Sequence, residues 1–155
     1  MMYKRILVPL DGSKFAETSL DHVRVLAKGC PVDRVILLRV IEPVIADVKD
    51  YIGADRVREA EAKLEAEAKK YLDRIASELK KDNIPAESKL VVNGEPAAKI
   101  LETVREEKIN LIIMSTHGRT GFEKWLHGSV AQKVMAHTSI PILMVVPKGS
   151  KAKKG

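Results

Sequence analysis

Two places in this chain set small and hydroxyl residues directly behind an apolar run. The first is Asp11-Gly12-Ser13, after RILVPL (5–10). The second is longer. LIIM (111–114) gives way to Ser115-Thr116-His117-Gly118, a mixed segment, and then Gly128-Ser129 ahead of a short helical pattern. Glycine lets a backbone approach a ligand closely and take positive φ. Backbone N–H groups at Gly128 and Ser129, opening a helix with its dipole behind them, make an anion site, and the Ser129 hydroxyl adds a donor. The plainer reading is that Ser129 caps its helix. Asp11 is the chemical complement. A carboxylate just past a strand end, beside a phosphate site, accepts from a ribose hydroxyl. Its plainer reading is a turn residue. The chemistry common to both places is the holding of a polyphosphate.

Other chemistries find less support. There is no G-x-x-x-x-G-K-[ST] loop, no G-x-G-x-x-G and no G-x-S-x-G elbow. His117, His127 and His137 recur every ten residues, which matches no metal-ligand spacing. Phosphoryl transfer needs a positioned base and metal ligands, and only Asp11 and His117 stand near the motif. Rapid turnover is therefore not expected.

The elements that must position these residues follow from periodicity. RILVPL (5–10) and RVILLRVI (34–41) are continuous apolar runs, as in strands buried on both faces. Ser13 caps a predicted helix reaching Lys28, with Gly29 closing it. Residues 42–55 read as a long irregular connection. Val57, Ala60, Leu64, Ala68, Leu72, Ile75 and Leu79 give a helical stripe over 55–81. A third strand is predicted over 88–94, and a helix from Pro96 to Lys108. LIIM (111–114) is the fourth strand, 129–137 a last helix, and PILMVV (141–146) a fifth strand. Strands alternating with helices imply a parallel sheet covered on both faces, with ligands beyond the carboxyl ends of its strands.

The bulk numbers narrow the class. A chain of 155 residues supports one domain. One cysteine, Cys30, allows no internal disulfide and fits a reducing, cytoplasmic compartment. No apolar run reaches the roughly 18 residues of a membrane span. The formal charge of +6 invites a nucleic-acid reading, but Lys148, Lys151, Lys153 and Lys154 lie in the tail KGSKAKKG. Residues 148–155 have no apolar face and read as a disordered basic tail behind a domain of residues 1–147. Without those lysines the balance is near neutral, so nucleic acid is not the expected partner.

Taken together, these residues resemble the universal stress protein family over nearly the whole chain to Pro147. ILVPLDGS, VILLRVIEP and VVNGEPAAKIL resemble its successive strands and turns. Most specific is the nucleotide motif Gly-x2-Gly-x9-Gly-[Ser/Thr]: Gly118 is followed by nine residues and then Gly128-Ser129. Ser115 stands where the motif has its first glycine, and a side chain there makes positive φ costly. The resemblance is to the ATP-binding kind. It implies a Rossmann-like fold of the adenine nucleotide alpha hydrolase type, a single five-stranded parallel open sheet with helices on both faces. It implies adenine near Pro9, Asp11 and Val40, ribose near Asp11 and Ser115, and phosphates near Gly118, Gly128, Ser129 and Val130. Arg119 would meet the γ-phosphate. ATP would come with Mg or Mn, and a homodimer would form through the last strand, Ile142 to Val146. The expected role is a nucleotide-dependent stress or signalling switch. The alternatives are a slow ATPase or phosphotransferase, and a binder of AMP or a cyclic nucleotide.

Overall fold

The computed structural model describes residues 3–116 and 128–147. Five strands, β1 (Arg5–Pro9), β2 (Arg34–Ile41), β3 (Ala86–Val92), β4 (Leu111–Ser115) and β5 (Ile142–Val145), form one sheet in the order β3-β2-β1-β4-β5. Every neighbouring pair is parallel. Six helices connect them: α1 (Lys14–Glu17), α2 (Ser19–Gly29), α3 (Ala46–Ile52), α4 (Ala54–Lys81), α5 (Pro96–Glu106) and α6 (Ser129–His137). This is the expected α/β architecture.

Alternation along the strands builds a core on each face. Ile6, Val8, Val35 and Leu37 pack with Leu20 and Val23 of α2 and with Leu72, Ile75 and Leu79 of α4. Leu7, Ile36, Leu38 and Ile112 face the other way, onto Ala97 and Ile100 of α5 and Ala131 and Val134 of α6. Strands buried on both sides need the continuous apolar runs seen in the sequence.

Four boundaries differ from the periodicity reading. The helix expected from Ser13 to Lys28 is two. Ser13 does cap α1, its Oγ accepting from the Ala16 N–H at 3.2 Å, but Thr18 interrupts the run. Its hydroxyl donates back to the Phe15 carbonyl at 2.6 Å, competing with the helical ladder. The connection over 42–55 is not irregular: it holds α3, joined to α4 through Gly53 at φ 89°. No residue of α3 is buried, and Tyr51 is 91% exposed, so no inward stripe announces it. β3 begins two residues earlier than expected, because pairing with β2 starts at Ala86 opposite Val35. Asn93, at φ 57°, ends the run after it. α5 stops at Glu106, since Lys108 takes φ 52°, outside helical geometry.

The strand order turns back between β1 and β4. The connection leaving β1 runs toward β2 on one side, while β4 and β5 continue on the other. That divergence opens a crevice at the carboxyl ends of the strands, where open parallel sheets bind ligands.

Candidate functional site

A cavity of about 490 Å³ occupies this crevice. Pro9, Leu10 and Asp11 line it from β1, Leu38 to Glu42 from β2 and just beyond, and Met114, Ser115 and Thr116 from β4. Gly128, Ser129, Val130 and Ala131 close it from the start of α6, with Pro96 and Ile100 of α5 and Leu64 of α4 at its sides. Of the residues singled out from the sequence, Pro9, Asp11, Val40, Ser115, Gly128, Ser129 and Val130 thus share one wall system, although up to 121 positions separate them. Gly118 and Arg119 lie outside the described residues, as do His117 and His127.

Local chemistry explains each position. Asp11 accepts the Ser13 N–H on Oδ1 at 2.9 Å, so it does the work of a turn residue and faces the cavity at once. Ser115 is the last residue of β4, paired with Val145 and buried. The non-glycine residues at positive φ among those described are Asn83, Asn93 and Lys108, so Ser115 keeps ordinary strand geometry. A serine in the first glycine position therefore costs no backbone strain.

The start of α6 requires one correction. Gly128, not Ser129, is the N-cap, with φ −64° and ψ 160°. Ser129 is the first helical residue and its side chain is exposed. The Gly128 N–H is not free for an anion: it donates to the Thr116 carbonyl at 2.9 Å, tying the helix start to the end of β4. Helix geometry leaves the N–H groups of Ser129, Val130 and Ala131 without a carbonyl inside the helix, and these three point out of its positive end. The anion-binding capacity sits one residue further along than expected.

α5 opens beside the same cavity. Glu95 caps it, accepting from Ala98 N–H at 2.7 Å and Ala97 N–H at 3.3 Å, and it meets Lys133 of α6 at 3.4 Å. The Ala98 N–H bond, with help from Ala97 and Lys133, holds the Glu95 carboxyl below its ordinary value.

Sequence reasoning missed Arg39, Thr116 and Met114. Arg39 is 8% exposed and lines the cavity. Its signal was present: a cation interrupting the apolar run VILLRVI (35–41). Among the described residues no group of three His, Cys, Asp or Glu side chains is placed to hold a metal ion. Nor is any described helix long and apolar enough to cross a membrane.

The geometry offers apolar walls, a carboxylate, and a helix start lining one crevice. Comparison with known proteins points the same way. The family described as the universal stress protein family matches residues 2–146. Universal stress protein MJ0577 of Methanocaldococcus jannaschii is 32% identical over 162 aligned positions, spanning 97% of this chain and 99% of the relative. The solved structure of MJ0577 superposes with a TM-score of 0.82 at 34% identity, covering 96% of this chain and 99% of that one. A universal stress protein from Archaeoglobus fulgidus, in complex with dAMP, shares the fold at 23% identity and a TM-score of 0.63, covering 93% and 98% of the two chains.

Proposed function

This chain belongs to the universal stress protein family, and from that premise we propose that it binds ATP and acts as a nucleotide-dependent switch in a stress or signalling response. One observation carries the reading. Asp11 and the start of α6 both line a cavity of about 490 Å³ at the point where strand order reverses. A volume of that size suits a nucleotide-sized ligand.

Each part of ATP has a matching wall. The adenine packs on Pro9, Leu38 and Val40, apolar residues at the ends of β1 and β2. Asp11 accepts from a ribose hydroxyl, with Ser115 alongside. The phosphates meet the N–H groups of Ser129, Val130 and Ala131 and the Ser129 hydroxyl, with the α6 dipole adding to the attraction. Gly128 lets the chain of phosphates come close, and the family motif assigns further phosphate contacts to Gly118 and Arg119. A Mg or Mn ion accompanying ATP is held mainly by phosphate oxygens and neutralises part of their charge. The domain spans residues 1–147, the basic tail 148–155 follows it, and the protein works in the cytoplasm as a homodimer paired through β5.

The affinity expected is millimolar to micromolar, about −4 to −8 kcal/mol. Turnover is below about one per minute, because enzymes working at 1 to 1,000 per second need a base and metal ligands placed for chemistry. A second reading, a preference for AMP-like nucleotides, is favoured by the dAMP held by the Archaeoglobus fulgidus protein. Calorimetric titration with Mg-ATP, AMP and cAMP separates the two, and mass spectrometry of nucleotide extracted from the purified protein identifies what it carries. No heat and no thermal shift at several millimolar Mg-ATP would refute the ATP reading.

A further inference from the structure

Arg39 is the one charged side chain counted as buried among the described residues, and the reading above gives it no task. By the alternation of β2 it lies on the α4 side of the sheet, with Val35 and Leu37. Its guanidinium stacks over the ring of Tyr71, with Cζ 5.7 Å from the centroid. Arg74 takes up the same ring at 5.5 Å and is fixed in turn by Glu17 at 3.0 Å and Glu78 at 2.9 Å. Stacking of this kind suits the flat guanidinium and is lost with lysine.

The guanidinium also lies against the turn that carries Asp11. Gly12 sits at φ 86°, and a Cβ placed on it would fall 2.8 Å from Arg39 Nη1, 3.1 Å from Cζ and 3.2 Å from Nη2. The plane of Arg39 thus fills the room that a side chain at position 12 would take. On either side of that contact are Asp11 and Ser13, joined by the 2.9 Å bond from the Ser13 N–H to Asp11 Oδ1. The Tyr71 hydroxyl is buried without a hydrogen-bond partner among the described residues, so the ring, not the hydroxyl, makes the useful contact.

We propose that Arg39 is a positioning residue for the nucleotide: packed between Tyr71 and Gly12, it holds the Asp11–Ser13 turn so that the Asp11 carboxylate meets a ribose hydroxyl. The proposal rests on the reading of the cavity as a nucleotide site. It explains why a cation interrupts an otherwise apolar strand, and why the turn has glycine at its centre. A purely structural arginine would support stability without changing which sugar the site prefers.

The test is the preference for ATP over 2′,3′-dideoxy-ATP, measured by calorimetry below the melting temperature of each variant. The parent is expected to prefer ATP by about tenfold, the scale of one hydrogen bond to a charged group. Asp11→Ala and Arg39→Met should both bring the ratio to within about twofold of unity, whereas Tyr71→Phe should leave it unchanged. Leu79→Ala, a core change at the far end of α4, should lower the melting temperature and keep the preference. If Arg39→Met does not fold, Arg39→Lys keeps the charge but loses the flat stacking surface on Tyr71 and should lose the preference in the same way. A full preference retained in Arg39→Met, or in Arg39→Lys, overturns the proposal while leaving the nucleotide site standing. A parent that binds neither triphosphate overturns the cavity reading and the proposal together.

Discussion

Gly128→Ala separates what the fold needs from what a ligand needs. At φ −64° and ψ 160° the residue has extended geometry open to any amino acid. Among the described residues, a Cβ there would approach nothing closer than the Thr116 carbonyl oxygen at 3.6 Å, an ordinary contact. The N–H bond from Gly128 to that same oxygen survives the change. The unliganded protein should therefore lose only the N-cap preference of glycine over alanine, about 0.5–1 kcal/mol. The ligand is affected differently. If phosphates pack against the bare Cα on their way to the N–H groups of Ser129 to Ala131, a methyl group pushes them out of reach. Losing one or two charge-assisted hydrogen bonds costs at least about 2 kcal/mol, or roughly thirtyfold in affinity. Urea unfolding measures the first quantity and calorimetric titration with Mg-ATP the second. Gly128→Val should exceed the alanine loss. Gly121→Ala, in the motif's spacer, should bind within about threefold of the parent. Parent-like affinity in Gly128→Ala would refute the close-approach argument. So would a stability loss well beyond 1 kcal/mol, which would mean the glycine serves the fold.

Among the described residues, β5 has β4 on one side and no strand on the other. The Pro141 and Val145 carbonyls accept from β4, so by alternation the N–H groups of Ile142, Met144 and Val146 point outward. Met144→Pro removes the central outward donor and should shift the sedimentation mass from two chains to one at tens of micromolar; a dimer that persists would refute pairing through this edge. The Glu95 carboxyl, held low by Ala98 N–H, contributes stability that is fully present above its ordinary value of 4.5 and is lost as pH falls through its lower folded value. Glu95→Gln should flatten the acid limb of a melting-temperature profile below about pH 4.5, and an unchanged limb would refute the assignment. Steady ATP hydrolysis should stay below about one per minute, and a rate above one per second in contaminant-free protein would make the enzyme reading the better one.

What could be read from the sequence was what periodicity records. Strands buried on both faces leave apolar runs, so β1, β2, β4 and β5 were found within a residue or two. The stripe from Val57 to Leu79 gave α4, and Pro96 gave the start of α5. α3 was missed because its apolar side chains face outward and follow no buried pattern. The break at Thr18 depends on one hydroxyl choosing a carbonyl, which no spacing shows. At the site, the small residues and the carboxylate behind two strands fall on the walls of one crevice. Which N–H groups face it could not be read, since the bond from Gly128 to Thr116 joins residues twelve apart through the geometry of a strand end. Arg39 was visible as an odd cation in an apolar run, but its contact with Gly12 depends on the pairing of β1 with β2.

The length of α4 has a further consequence. Its 28 residues rise about 42 Å, while the longest strand, β2, covers about 26 Å with eight. A helix returning from the end of β2 to the start of β3 must therefore overhang the carboxyl edge of the sheet. Burial follows that division: Ala68, Leu72, Ile75, Ala76 and Leu79 are buried in its later half, but only Val57 in the earlier one. The overhang carries Leu64 of the cavity wall and meets α3 through Lys49 and Glu61 at 3.9 Å. Half of α4 is thus anchored to the core, and among the described residues the other half meets little besides α3. Opening free energy scales with what is buried, so amide exchange should be graded along this one helix, slow past Ala68 and fast before it. The wall most easily lifted is the one beside the cavity, which would give the proposed nucleotide a way in and out without disturbing the sheet.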